Sequence, residues 1–539
     1  DVKLIDQDQY ISYGGCGMPY YVSGDVSDEK ELRSTSFHMV RDERFFKDDK
    51  GIDAMPATRA LAIDRRNKTV RIQQQDGRQT DLSYDKLVLS TGSKPKNPGI
   101  PGMDLKNVYS VGCLDDAIAI KQQVTTGRIE KAVIIGGGFI GLEMAEALAD
   151  MWEVETSVVE FCDQIMPGFV SRNMSLMARR KMEENGVTFY LGESVAAIEG
   201  DGAVERVKTS RRTIEADIVI SAVGIEPNGD LAREAGLDVA PGGFIEVDDR
   251  LRTSDPDIYA GGDCVQVPNL ISKKPGYFPL GSIANRQGRV IGTNLAGGDA
   301  RFEGAVGSFA VKLFDGALAG AGLTVETAAK EGFDAAGIQV GQFDRAHFYP
   351  EKEIIFLELV VDRQSRRVLG IQGYGGESSG MFARVNAVAS LLKFEPTVED
   401  ISNLEFAYSP PFASAMDIVN AVGNAAENYL EGRYEPAHAR DFMECWNNRD
   451  CGRYYFLDCR ASADARPFEE KYPDIWKSIP HDQLQYRIDE VPTDRKLVLI
   501  CNTGVRSFEA QVNLAEHGIT DTVSVGSGIA GMKACGIEF

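Results

Sequence analysis

Lys131-Ala132-Val133-Ile134-Ile135-Gly136-Gly137-Gly138-Phe139-Ile140-Gly141-Leu142-Glu143 is the stretch that decides the fold. An apolar run ends in three glycines, and a helix-forming sequence follows at once. Gly136, Gly138 and Gly141 stand in the G-x-G-x-x-G register of a dinucleotide-binding turn. The first glycine makes the tight turn, the second lets a pyrophosphate approach the backbone, and the third lets helix and strand pack closely. The phosphates then meet the free N–H groups and the positive end of the helix. A lone glycine pattern is weak, but here Ala132 to Ile135 reads as the strand before it and Leu142–Leu148 as the helix after it. The next strand, Thr156 to Glu160, ends in an acid 19 residues after Gly141, the position of the ribose-binding carboxylate. A carboxylate bonds both ribose hydroxyls and repels a 2′-phosphate, and Phe161, Cys162 and Asp163 supply no arginine to offset it. The reading is therefore NADH in preference to NADPH.

Outward from this unit, the chain of 539 residues is too long for one core, and ordinary domain sizes predict about three to five domains. The formal net charge of -23 opposes nucleic acid and anionic membranes as partners, because both need clustered Lys and Arg. No apolar run approaches the roughly 20 residues that span a bilayer, and no signal-peptide pattern is visible. Nine cysteines are too few for a disulfide scaffold, and their number is odd, which points to free thiols in a reducing compartment, the cytoplasm. Cys113, Cys162, Cys264 and Cys535 read as small hydrophobes. Cys445, Cys451 and Cys459 are too widely spaced for a zinc pair, so no metal site is expected.

Val2-Lys3-Leu4-Ile5-Asp6 is a short strand ending in an acid. In a dinucleotide fold this is the second strand, with its glycine turn about 20 residues earlier. Either that first strand, turn and helix lie outside the sequence, or Asp6 is an ordinary loop acid. Hairpin strands fill 68–92 and end at Ser90-Thr91-Gly92. A helix is expected near 171–184, a buried strand over 217–224 ending in Gly224, and a helix from about Ile283 to Leu295 after the cluster Gly261-Gly262-Asp263. Residues 308–420 alternate strands and helices in an α+β pattern, and 427–442 reads as a polar, helix-poor linker. The last hundred residues form a small α/β unit.

Two cysteines sit in settings suited to sulfur chemistry. Cys16 lies in Ser12-Tyr13-Gly14-Gly15-Cys16-Gly17-Met18-Pro19-Tyr20, where a strand-to-helix turn would expose its sulfur and a helix N-terminus would lower its pKa. No CxxC or CxxxxC partner is near, so an internal dithiol exchange is excluded. A mixed disulfide, a persulfide or a sulfenic acid remain. Cys501 opens Cys501-Asn502-Thr503-Gly504-Val505-Arg506-Ser507, a loop that can curl its N–H groups around the sulfur as an anion nest and hold a persulfide, with Arg506 adding a planar cation.

These motifs occur in the order found in FAD-dependent pyridine nucleotide–disulfide reductases, and residues 1 to about 420 resemble their single-cysteine branch. That branch includes coenzyme A disulfide reductase, NADH oxidase and peroxidase, and persulfide reductase. The resemblance implies an α/β chain with two Rossmann-like domains for FAD and NAD(P), an α+β dimerisation domain, and a small α/β C-terminal domain. The boundaries expected are 1–111 and 231–307 for the two parts of the FAD domain, the first lacking its opening strand, turn and helix. NADH binding falls in 112–230, dimerisation in 308–426, the linker in 427–442 and the last domain in 443–539. By resemblance Asp6 binds the FAD ribose and Asp263 its ribitol. Thr91, Gly92 and Gly262 lie beside the cofactor, backbone near Ala284 faces the flavin ring, and Gly224 lines the nucleotide site. Ser12 matches a coenzyme A contact, whereas Gly15 and Tyr13 replace the Asn and Phe of the coenzyme A-handling motif. The resemblance also implies a homodimer in which Tyr408, and Tyr349 as a second, reach over the partner's cysteine and hand a proton to a departing thiolate.

The Cys501 loop resembles the active loop of a rhodanese domain, and Asp458-Cys459-Arg460 resembles its Asp-x-Arg segment. A phosphatase C-x5-R loop is the rival; it carries its Arg one position later and needs an acid Asp elsewhere. The function expected is reduction of a persulfide, polysulfide or disulfide of a small thiol, coenzyme A first. Reducing equivalents would pass from NADH by way of FAD to Cys16, and Cys501 would carry sulfane sulfur. The alternatives are an NADH oxidase or peroxidase cycling Cys16 through a sulfenic acid, and a sulfur-delivery or redox-sensing protein.

Overall fold

The structure is a computed structural model and describes residues 1–538. The chain divides into two units, residues 1–165 with 185–305, and residues 166–184 with 306–539.

The first unit holds a five-stranded parallel sheet in the order Thr188–Leu191, Glu155–Glu160, Lys131–Ile135, Ile218–Ser221, Val108–Tyr109. The helix Phe139–Ala149 crosses over between its two central strands, as parallel pairing requires. Lys131–Ile135 is buried from Ala132 onward because helices cover one face and the antiparallel sheet 195–215 the other. The rest of the unit has two parallel strand pairs, Val2–Ile5 with Ile52–Met55 and Leu87–Leu89 with Ile258–Ala260. An antiparallel sheet over 59–83 joins them, and Ile63, Ile72, Leu89, Ile258, Ile283 and Ile291 share one core. The expected helix from about Ile283 starts two residues earlier, at Gly281.

The second unit carries a five-stranded antiparallel sheet in the order Phe309–Leu313, Gly316–Gly322, Val368–Gly376, Ile354–Asp362, Ala335–Phe343. A second sheet of five parallel strands follows, in the order Pro436–Ala437, Thr522–Val525, Lys496–Ile500, Tyr454–Asp458, Trp476–Ser478.

Two sequence expectations fail here. The helix Arg172–Glu184 was placed with the nucleotide-binding unit, but it belongs to the second unit. Polar groups draw it there: Ser171 Oγ donates to Glu358 at 2.7 Å and Asn173 Nδ2 to Gln339 Oε1 at 2.7 Å, all four residues buried. Secondly, the supposed linker 427–442 is not helix-poor. Asp417 caps a helix, Ile418–Leu430, whose buried face (Ile418, Val419, Val422, Ala426) carries it past 427. Pro436–Ala437 then pairs with Ser524 and Val525, and a helix starts at Ala439, so the parallel sheet begins before 443. Among the described residues no helix is long and apolar enough to cross a membrane.

Arg384 anchors the second unit from the helix Met381–Leu391. It is buried, and its Nε donates to both Asp417 oxygens at 2.9 and 3.2 Å. Its two Nη groups reach the carbonyl oxygens of Ser379, Asp344 and Phe412. Arg384→Met would strand a buried carboxylate and three carbonyls. The expected loss is about 3–5 kcal/mol, read as a lower denaturant midpoint.

Candidate functional site

Cys16 sits in the single 3₁₀ turn Gly15–Gly17, which leads into the short helix Met18–Ser23. Gly14 N–H donates to Leu32 O at 2.8 Å and Gly17 N–H to Gly14 O at 2.9 Å, so the turn is held at both ends. Its neighbour is the start of a longer helix: a Cβ built on Gly281, the first residue of Gly281–Leu295, would lie 3.6 Å from Cys16 Sγ. The sequence reading had a helix lowering this thiol's pKa, and the chain's own groups do the opposite. Although the residue is exposed, its sulfur is turned against protein. That desolvation pushes the thiol up, and the negative charges of Glu143 and Asp263 add to the effect. Glu143 itself is pushed up to about 7, by burial and then by the charge of Glu146. The sequence reading missed Glu143, although it follows the third motif glycine by two residues on the same helix.

Of the residues expected to hold FAD, Asp263 acts on this thiol through its charge. Asp6 follows the strand Val2–Ile5 and accepts Asp8 N–H at 2.9 Å; burial pushes its carboxyl up. Thr91 Oγ1 donates to Asn228 O at 2.6 Å and Asn228 Nδ2 donates back to Thr91 O at 2.9 Å. Gly92 (φ 63°) and Gly262 (φ 86°) take left-handed turns, and a Cβ on Gly92 would meet nothing within 4 Å. Asp263 accepts Ser93 Oγ at 3.2 Å, and burial pushes its carboxyl up. Beside it the Tyr277 hydroxyl is buried, pushed up by that burial and by the charge of Asp263, and within reach of the same Ser93. A buried phenol, a desolvated acid and glycine-lined space are what a polar dinucleotide would fill, so these residues fit FAD. Ala284 lies half-buried in the first turn of Gly281–Leu295, but its own N–H already donates to Leu280 O at 3.0 Å. Ser12 is half-buried ahead of the Cys16 turn.

At the nucleotide turn, a Cβ on Gly136 (φ 108°) would come 2.4 Å from Ala222 O, and one on Gly141 would come 2.0 Å from Gly136 O. Gly138 caps the helix Phe139–Ala149 and has open space where its Cβ would be. The strand expected over 217–224 spans only Ile218–Ser221, and Gly224 (φ 106°) lies in the loop after it, accepting Lys96 N–H at 2.9 Å. Glu160 has a role the sequence did not indicate. It is buried, and its two oxygens accept N–H groups from Gly137 at 2.7 Å and Cys162 at 2.8 Å. Each oxygen keeps a second lone pair for a ribose hydroxyl.

In the second unit, Tyr349 is half-buried and Tyr408 is half-exposed. Their loops touch: Ala346 N–H donates to Pro410 O at 3.2 Å, and Tyr349 N–H to Ala346 O at 2.8 Å. Arg384 ties both through Asp344 O and Phe412 O. The sequence reading missed Arg384; an arginine amid the apolar run Met381-Phe382-Ala383-Arg384-Val385 was the available signal. Phe348, Phe382, Phe394, Phe412 and Met416 of this unit are exposed.

Cys501 follows the strand Lys496–Ile500 and is buried. Gly504 N–H donates to its sulfur at 3.0 Å, and Ser507 Oγ lies 3.5 Å away, held in turn by Ser524 Oγ at 2.9 Å. Gly504 (φ 103°) caps the twelve-residue helix Val505–Glu516, whose positive end therefore faces the sulfur. Arg506 is half-buried on the first turn. The guanidinium locked nearby is instead Arg460, paired with the fully buried Asp458 at 2.7 and 2.9 Å. A surface recess of about 590 Å³ lined by Leu105, Ile198, Glu205 and Arg206 holds none of these groups.

The chain matches the family of pyridine nucleotide-disulphide oxidoreductases over residues 1–277 and that family's dimerisation domain over residues 308–419. It is 34% identical over 417 residues to the NAD(P)H sulfur oxidoreductase (CoA-dependent) of Pyrococcus abyssi, covering 77% of this chain and 90% of that protein. The NAD-dependent persulfide reductase of A. fulgidus superposes with a TM-score of 0.92 at 36% identity, over 98% of this chain and 95% of that one. Reduced CoADR-RHD of Bacillus anthracis superposes at 0.88 with 28% identity, over 99% and 93%.

Two tests follow from the geometry. Gly141→Ala drives a methyl into Gly136 O and should cost about 3 kcal/mol of stability, whereas Gly138→Ala should leave the denaturation midpoint in place and weaken NADH binding, measured by titration. Secondly, Glu143 holds its proton more tightly folded than unfolded, so its contribution is full below pH 4.5 and falls as pH rises to about 7. The loss is at most about 3 kcal/mol, and denaturation across that window should lose this slope in Glu143→Gln.

Proposed function

The chain belongs to the pyridine nucleotide-disulphide oxidoreductase family, and from that premise we propose that it reduces the persulfide, polysulfide or disulfide of a low-molecular-weight thiol, coenzyme A first, at the expense of NADH. The observation that carries this reading is that one chain holds two separately built sulfur sites, Cys16 at a helix start and Cys501 in an N–H-lined loop. A plain oxidase has no use for the second. The CoA-dependent sulfur oxidoreductase of Pyrococcus abyssi, alike over 77% of the chain, and the A. fulgidus persulfide reductase, alike over 98%, support the same assignment.

Bound FAD, held by Asp6, Thr91, Gly92, Gly262 and Asp263, supplies the two-electron link between nicotinamide and sulfur. The turn Gly136–Gly141 binds the NADH pyrophosphate against the start of Phe139–Ala149, and Glu160 positions the ribose. Cys16 attacks the S–S bond of the substrate as a thiolate, and the net change for a persulfide is RSSH + NADH + H⁺ to RSH + H₂S + NAD⁺. The N-terminus of Gly281–Leu295 favours that thiolate against the acids that oppose it. In the homodimer that the dimerisation domain implies, Tyr408 and Tyr349 donate the proton to the departing thiolate, and the exposed phenylalanines of their unit form the contact face. Cys501 carries sulfane sulfur, its anion stabilised by the Gly504 N–H and the positive end of Val505–Glu516. Nine free thiols suit a reducing compartment such as the cytoplasm.

The test is NADH-dependent sulfide release from coenzyme A persulfide under anaerobic conditions. Cys16→Ser should lower turnover by about 10³-fold or more, the scale of losing a covalent nucleophile. NADH consumption with oxygen alone at the rate seen with the persulfide would overturn the assignment in favour of an oxidase.

A further inference from the structure

We propose that Cys459 is the resolving thiol of Cys501: it displaces sulfide from a Cys501 persulfide and closes a Cys459–Cys501 disulfide inside the C-terminal sheet. This rests on the reading of Cys501 as a sulfur carrier and adds a partner for it.

The register of the two central strands brings the cysteines together. Tyr454–Asp458 and Lys496–Ile500 run parallel and side by side, and their last matched pair is Asp458 with Ile500. Each cysteine is the next residue along, and Cys459 N–H donates to Ile500 O at 2.8 Å, so the strands have not yet parted. Neighbouring strands lie about 4.8 Å apart, inside the roughly 4.4–6.8 Å Cα separation that a disulfide spans.

The side chains also share a face. The strands end one residue before the cysteines, at Asp458 and Ile500, and their alternation carried one step further sets Cys459 on the side of Leu457 and Cys501 on that of Leu499. Leu457, Leu499 and Cys459 pack in one core with Ala510 and Leu514 of Val505–Glu516. The first N–H of that helical segment, from Gly504, points at Cys501 Sγ. The Cys501 charge acts directly on the Cys459 thiol, as does Asp458. The Asp458–Arg460 pair holds this segment in place from either side of Cys459.

Cys459 is fully buried and its thiol is pushed up, first by that burial. Burial shields it from outside disulfides and oxidants, whereas Cys501 opens a loop whose next residue, Asn502, is exposed, so reagents enter and leave by way of Cys501. The step balances without another reactant: Cys501–S–SH + Cys459–SH gives Cys501–S–S–Cys459 + H₂S. The Cys459 sulfur attacks Cys501 Sγ, the bond from Sγ to the sulfane sulfur breaks, and that sulfur leaves as sulfide with the thiol proton. The two protein sulfurs are oxidised and the sulfane sulfur is reduced by the same two electrons. A small dithiol returns the pair to thiols by exchange.

The experiment uses the full-length protein, reduced, freed of thiol and loaded anaerobically with thiosulfate or polysulfide without NADH. Sulfide release is followed, and cysteine peptides are mapped by mass spectrometry after alkylation. The expected result is stoichiometric sulfide with a Cys459–Cys501 linked peptide; in Cys459→Ala, sulfide release is lost and Cys501 keeps the mass of one added sulfur. A wild-type Cys501 persulfide that persists, or a linkage of Cys501 to any other cysteine, overturns the resolving role while leaving the carrier reading intact. Failure of Cys501 to take up sulfur at all defeats the carrier reading, and the resolving step falls with it.

Discussion

The closeness of backbone to backbone where a parallel strand hands over to a helix is the constraint on which the rest of the structure depends. At the nucleotide turn, Gly141 must pass so near Gly136 O that a methyl group would sit 2.0 Å from it. At the C-terminal loop, a Cβ on Gly528 would stand 2.5 Å from the Asn502 backbone. At the first, the start of Phe139–Ala149 comes up to a strand end with its N–H groups facing the space beyond. At the second, Ile529 and Ala530 N–H are spent on Cys501 O and Asn502 O at 2.9 Å, and the N–H that faces a space is that of Gly504, on Cys501 Sγ. A phosphate suits one such space and a sulfur anion the other. The same piece of backbone physics serves both, with different side chains around it.

Those side chains set opposite electrostatics for the two sulfurs. Cys501 is buried yet receives the Gly504 N–H, so its anion is met by a backbone donor, with the Ser507 hydroxyl, which donates to Gly504 O, 3.5 Å away. Cys16 lies on an exposed turn but faces Glu143 and Asp263, which favour the thiol. The redox role proposed for Cys16 rests on the helix start at Gly281, where a Cβ would lie 3.6 Å from its sulfur, to counter that resistance. Glu143, near 7, then holds or gives up a proton within the working pH range, which makes the balance at Cys16 sensitive to pH.

In the second unit, buried polar groups do the organising. Arg384 gathers one carboxylate and three carbonyls and so fixes the two loops that carry Tyr349 and Tyr408. Ser171 and Asn173 draw a helix from the middle of the chain onto the antiparallel sheet through Glu358 and Gln339. Buried polar groups must find partners, and here their pairing decides which segment packs with which.

Sequence alone determined what local chemistry determines. The strand–turn–helix over 131–149, the acid at Glu160, the Cys16 turn and the strands flanking Cys501 were all legible, because glycine spacing and apolar runs act over short stretches of chain. Tertiary structure decided what depends on residues far apart in sequence. It assigned helix 172–184 to the second unit, turned 427–442 from a linker into helix and strand, made Arg384 an anchor, and raised the Cys16 thiol where its own short helix suggested the reverse. Each of these follows from desolvation or from a hydrogen-bond partner dozens to hundreds of residues away, and no local pattern encodes such a partner.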